Sequence, residues 1–319
     1  MRHEVRGLRG LDGLDPQQAW ELVRDSAIRL DAMADPVALV AHRVAESGTL
    51  GEIRLSGLGG EVARGFYYLG RPRPRAYGDR EVARLARWRM FVNESVEPGM
   101  LSPQFGGWSE EVALAAVGAA LRDGGDEWFA ATDDLYLRHR MQRWAGPTDV
   151  AVGTDRTIIN PMLGPEFLEI VAGLRLEERS GARFLADLQC LLDPDLARIP
   201  LDGRPAPEAY SSQARPAPVR RALGAGSALA RKAVQRALRR NRPPAGGQDL
   251  ADKVVQHWRQ HPELLGRVGA LPLLSEGWVE GVLAGSVAPR PSSVALLSNL
   301  IVALEHLVAG KVESTWSRG

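Results

Sequence analysis

Residues 53–61 restrict this chain's fold more than any other stretch. Ile53 and Leu55 alternate with polar residues, as a short strand half buried in a sheet does. Ser56-Gly57-Leu58-Gly59-Gly60 then leaves the backbone almost bare, and Glu61 onward reads as the start of a helix. Strand, glycine corner and helix start in that order belong to an α/β arrangement rather than a helical bundle or a β-sandwich. Glycines let another group approach the backbone closely, and free N–H groups at a helix start favour an anion. The same pattern also serves as a plain turn.

The flanking sequence is helical. Asp15 with Pro16 is a capping pair for a helix over residues 15–35, with Ala19, Leu22, Val23, Ala27 and Leu30 forming its apolar stripe. Further helices are expected at 36–45, 79–91, 110–121 and 127–144, with a polar loop at 98–108. Residues 165–198 read as two helices broken near Arg179-Ser180-Gly181. The last seventy residues are helical again, and Pro262 should end a helix at His261. Between these blocks, residues 204–218 are rich in Pro, Ala and Ser, and no acid occurs from 209 to 248. Arg231, Lys232, Arg236, Arg239, Arg240 and Arg242 give residues 215–242 the pattern of a basic amphipathic helix. Such a segment suits RNA, anionic lipid or an acidic partner, or is simply a solvated insertion; it lacks interleaved aromatics for base stacking.

Composition excludes little else. Of 319 residues, 45% are apolar and 25% charged, with a net charge of +1, so no global attraction to nucleic acid follows. The single cysteine, Cys190, rules out an intrachain disulfide and suits a reducing compartment. No run of about eighteen apolar residues is present, so no transmembrane segment is expected and a cytoplasmic location is.

Three stretches carry a resemblance. Residues 55–68 (L-S-G-L-G-G-E-V-A-R-G-F-Y-Y) resemble the second nucleotide loop of the asparagine synthetase-like family of AMP-forming, ATP-dependent amide ligases. Asp133-Asp134-Leu135-Tyr136-Leu137 with Arg138, Arg140, Arg143 and Trp144 resembles that family's aromatic, arginine-rich helix. Asn160-Pro161-Met162-Leu163 with Phe167 and Leu168 resembles its P-F-L-D segment. The similarity spans roughly residues 10–200. It implies a mostly α fold with a small parallel-sheet remnant, a partial α/β adenine-nucleotide-hydrolase-like synthetase domain. It implies ATP and Mg2+ as cofactors, and a small carboxylate and an amine as substrates. By the same resemblance Ser56, Gly57, Gly59 and Gly60 fall on nucleotide- or pyrophosphate-binding positions, Glu61 on a magnesium-binding carboxylate, and Arg183 on a catalytic lysine.

The departures are specific. The family's first ATP loop, S-G-G-x-D-S, occurs nowhere here, and the glutaminase domain is absent. Leu58 and Val62 replace acids, Gly164 replaces the Asp of P-F-L-D, and Arg183 cannot titrate near neutral pH as a lysine can. The expectation is therefore a synthetase portion needing a missing N-terminal segment, a companion chain bearing that loop, or a homodimer; the alternative is a silent structural or partner-binding derivative. Nucleic acid is not an expected partner. Residues 1–200 form the synthetase-like portion, 201–247 a linker with a basic insertion, and 248–319 a helical segment packing on the first part. A sheet without its central strands should expose an edge and an apolar face unless a partner or helices cover it. Asp123, Asp126, Glu127, Asp133 and Asp134 mimic a metal cluster, but Asp126 and Glu127 suit a helix N-terminus better.

Overall fold

The computed structural model describes residues 8–47, 53–68, 72–91, 95–201, 205–213, 246–275 and 277–316. The basic segment 215–242 lies outside them. The chain is mostly helical, with one small parallel sheet, as the sequence leads one to expect. Helix Pro16–Arg29 opens on a full capping box: Gln18 N donates to Asp15 Oδ1 over 2.8 Å, and Asp15 N donates to Gln18 Oε1 over 3.1 Å. It stops short of residue 35 because Asp31 and Ala32 turn left-handed, with φ of 50° and 55°. Helix Pro36–Glu46 follows, capped by Asp35.

Two cores result. The first joins Val23, Val37 and Val40 to Leu250, Val254, Trp258, Leu297 and Ile301. Helices Gly247–Gln260 and Pro291–Trp316 thus pack directly on the two N-terminal helices. Lys253 ties them further, donating to the carbonyls of Leu11, Asp12 and Leu14 over 2.7, 2.8 and 2.7 Å. The second core holds Val62, Tyr67, Leu85, Phe129, Leu135 and Tyr136. A small cluster of Leu30, Leu39, Ala151 and Val152, with Ile158 against it, lies on elements of both parts. The C-terminal helices pack on residues 11–41, and Met100 joins that same core, whereas the second core is built from residues 62–171.

β1 (Ile53–Leu55) pairs in parallel with β2 (Thr157–Ile159), Ile53 opposite Thr157, and Ser56 N extends the ladder to Ile159 O over 2.9 Å. Ile158 faces the small cluster, while Ile53, Leu55 and Ile159 are 62%, 73% and 43% exposed. Parallel sheets are ordinarily covered on both faces. Among the described residues, nothing buries the face that carries Ile53, Leu55 and Ile159.

Other elements depart from the sequence reading. Helix Pro103–Asp123 begins inside the stretch read as a loop, because Ser102 caps it and Pro103 occupies its first position. The helix expected from Glu61 is one 3-10 turn, Gly60–Arg64. The helices read at 79–91 and 127–144 change ladder midway: Ala86–Met90 and Leu135–Ala145 are π-helical. The break near residue 180 is present, with Gly181 and Ala182 at φ of 71° and 63°. In the linker, Pro207–Tyr210 forms a 3-10 turn, and Ser212 anchors it to Asp187 on helix Arg183–Leu192. Among the described residues, no helix is long and apolar enough to cross a membrane.

Candidate functional site

The glycine corner follows β1 as the alternation demands, but its interior is filled. Ser56 Oγ accepts from Leu58 N over 3.2 Å, tightening the turn. Gly57 faces open space. Gly59, at φ of 88°, holds a conformation costly to any residue with a Cβ, and a Cβ there would overlap Leu163. A Cβ on Gly60 would overlap the Met162 sulfur. The glycines therefore admit Met162 and Leu163 at the end of β2, so two of the resembling stretches meet here side chain to backbone.

The third stretch joins through Glu61. Tyr136 donates to Glu61 Oε2 over 2.8 Å, and Arg64 lies 3.5 Å from Oε1. Burial, and the Glu61 charge beside it, push the Tyr136 phenol well above its ordinary range. Next to this pair Phe66 carries two guanidinium groups on its ring, Arg140 at 4.8 Å and Arg89 at 5.2 Å. Arg140 also stacks on Trp144 at 4.3 Å, and Arg89 donates to Phe66 O over 2.7 Å. Among the described residues neither arginine makes an ion pair. Arg89 is pushed below its ordinary range by burial and then by the charges of Arg64 and Arg140.

A second polar link secures the same face. Tyr68 donates to Asp133 Oδ2 over 2.8 Å, and Arg179 pairs with the same carboxylate. Burial pushes Asp133 up to about 6 even with these partners. Asp134 instead pairs with Arg138 at 2.8 Å, and Glu127 caps helix Trp128–Asp134 by accepting from Phe129 N and Ala130 N. The apparent acidic cluster is thus divided between a cap, a surface pair and a buried anchor. Among the described residues, no three His, Cys, Asp or Glu side chains are grouped to hold a metal.

Arg183 starts helix Arg183–Leu192 and is exposed, with its charge felt at Glu178. Its helix and the 3-10 turn before it pack on the turn of Glu61. The two candidate residues therefore share a neighbourhood, Glu61 facing inward to Tyr136 and Arg183 outward. His257 and His261 lie 4.5 Å apart, ring to ring, with His257 stacked on Trp20. The helix ends at Gln260, before Pro262. A cavity of about 360 Å³ lies between helix Pro36–Glu46 and Val152, at the start of the strands, where Arg43 meets Asp155 and Arg156 meets Glu46.

Arg89 and Arg179 were not legible as site residues, and nothing in their sequence spacing marks them; Tyr136 stood out only as the aromatic of the second resembling stretch. No family model, curated protein or solved structure matches the chain.

Proposed function

We propose that this chain is an asparagine synthase-like protein, related to the ATP-dependent, AMP-forming carboxylate–amide ligase domain. The supporting observation is convergence: the three resembling stretches, far apart in sequence, meet through Gly59–Leu163, Gly60–Met162 and Glu61–Tyr136. Ser56 and Gly57 would meet a nucleotide at the open rim of the corner, and Gly59 and Gly60 keep the backbone close to the β2 end. In the ligase reaction a carboxylate attacks the α-phosphorus of ATP, pyrophosphate leaves, and an amine displaces AMP from the acyl-adenylate. Cations aimed at the departing charge accelerate such steps. Glu61 does not fit a ready magnesium site, because it is already engaged by Tyr136 and Arg64 and, among the described residues, belongs to no group of three metal-ligating side chains. The S-G-G-x-D-S loop absent from this sequence would come from a companion chain.

The filling of the corner by Met162 and Leu163 favours a second reading, a catalytically silent derivative retained for structure or partner binding. Calorimetric titration with Mg-ATP, Mg-AMP and pyrophosphate separates the two. Saturable heat with ATP supports the ligase reading; silence with all three leaves the second.

A further inference from the structure

Outside the glycine corner, the most unusual feature of the molecule is where its π-helical segments fall. π-Helix is rare, poorly suited to long runs, and concentrated at functional sites. Among the described residues it occurs twice: Ala86–Met90, closed by Phe91 N donating to Ala86 O, and Leu135–Ala145, closed by Gly146 N donating to Met141 O. Arg89 belongs to the first segment, and Tyr136, Arg140 and Trp144 belong to the second. The two segments thus supply the two guanidinium groups that stack on one phenyl ring, that of Phe66.

Electrostatically the arrangement is unbalanced. The charges of Arg64 and Arg140 both act on Arg89, and Glu61, 3.5 Å from Arg64, is the one carboxylate paired with any of the three among the described residues. Like charges gathered in a partly buried site oppose folding unless a counter-charge arrives. Ring stacking offsets only part of that repulsion. At two other places arginines gather around one acid, Arg29 and Arg43 on Asp25 and Arg54 and Arg156 on Glu46. Arg89 and Arg140 share a ring in place of an acid.

We propose that Arg64, Arg89 and Arg140 form an anion site for a phosphate-class ligand carrying two or more negative charges, walled by Phe66 and Tyr67. Guanidinium groups suit this task because their planar donors match phosphate oxygens in pairs. A polyphosphate fits better than a simple carboxylate, since the excess over Glu61 is two positive charges. The site lies next to Glu61 and deepens the ligase reading by naming the groups that would hold pyrophosphate or a nucleotide's phosphates. It requires no adenylation, and so stands or falls separately.

The test is calorimetry of the full chain with inorganic pyrophosphate, orthophosphate, ATP and AMP at matched ionic strength. It is repeated on Arg89→Gln, Arg140→Gln and, as a control, Arg143→Gln, an exposed arginine in the same π segment. Expected are saturable pyrophosphate binding, a loss of at least tenfold in the first two variants, and little change in the control. Arg64→Gln, altering a more exposed side chain, takes the place of Arg89→Gln if circular dichroism shows the latter unfolded. Absence of pyrophosphate and orthophosphate binding in the parent chain overturns the proposal, and so does equal weakening by Arg143→Gln, which would mean diffuse surface charge. Pyrophosphate binding with no heat from ATP or AMP supports this site while removing the nucleotide binding that the ligase reading requires. Tighter binding of ATP than of pyrophosphate, lost in the same variants, identifies a nucleotide as the source of the phosphates.

Discussion

Tyr136 donates its hydroxyl to Glu61 over 2.8 Å, joining a π-helical turn to a 3-10 turn 75 residues away. The bond decides what Glu61 is free to do. A carboxylate held by a phenol and faced by Arg64 is an acceptor already in use.

Tyr136→Phe keeps the ring in the second core and removes only that donor. A stability loss of about 1 kcal/mol is expected in urea titration, the usual net value of a partly exposed hydrogen bond. Unchanged stability would mean that the hydrogen bond is absent in solution.

Gly59 tests the corner itself. Gly59→Ala meets two penalties, a left-handed backbone and overlap with Leu163, and should cost about 2–3 kcal/mol. Leu163→Ala alone opens a void and costs about 2 kcal/mol. Combined, they should cost less than the sum, because the overlap is relieved while the backbone strain stays. Strict additivity in the cycle would place Leu163 away from the glycine.

How much of this was legible beforehand differs by element. Asp15-Pro16 and Asp35-Pro36 are local signals, and both helices begin where those residues say. The strand at Ile53 was readable from alternation, and so was the break at Gly181, since a glycine there meets a need for positive φ. The helix at Pro103 was missed because Gly106 and Gly107 masked a sound Ser-Pro start. The π segments could not be read at all: their apolar positions repeat much as those of an ordinary helix do, and the wider ladder is set by what packs against it. The site shows the same division. Ser56, the glycines and Glu61 announce themselves by composition, whereas Arg89, Tyr136 and Arg179 matter only through contacts between distant segments. The resemblance drew attention to stretches that meet, but it could not foresee Met162 and Leu163 seated between them.

The open sheet face gives a simple mutational test. Ile53 and Leu55 are 62% and 73% exposed, so Ile53→Thr and Leu55→Thr should each change stability by less than about 0.5 kcal/mol. Thr keeps the β preference of a branched side chain, which leaves burial as the quantity measured. A loss beyond about 1.5 kcal/mol in either variant, growing with protein concentration in sedimentation runs, would mean that another chain covers the face.

Two ionisable groups should tilt stability in opposite directions between pH 4 and 7. Asp133, raised by burial from 3.8 to about 6, keeps its proton in the folded chain where the unfolded chain has released it. Its contribution is present below about pH 4 and is lost as pH rises through 6, by at most about 3 kcal/mol. Arg179, Tyr68 and Glu127 are the groups that act on it. His257 runs the other way. Burial against Trp20, and then the neighbouring His261, hold it below 6.5, with Glu21, Glu263 and Asp15 opposing weakly. The unfolded histidine takes up a proton that the folded one resists, so stability falls as pH drops below 6.5. Urea titrations at half-unit pH steps separate the two. Asp133→Asn should gain on the parent chain as pH rises from 4 to 7, whatever its baseline loss from the weakened Arg179 contact. His257→Phe, which keeps the stack on Trp20, should gain on the parent chain as pH falls from 7 to 5. Parallel curves for either variant and the parent chain would remove that residue from the account.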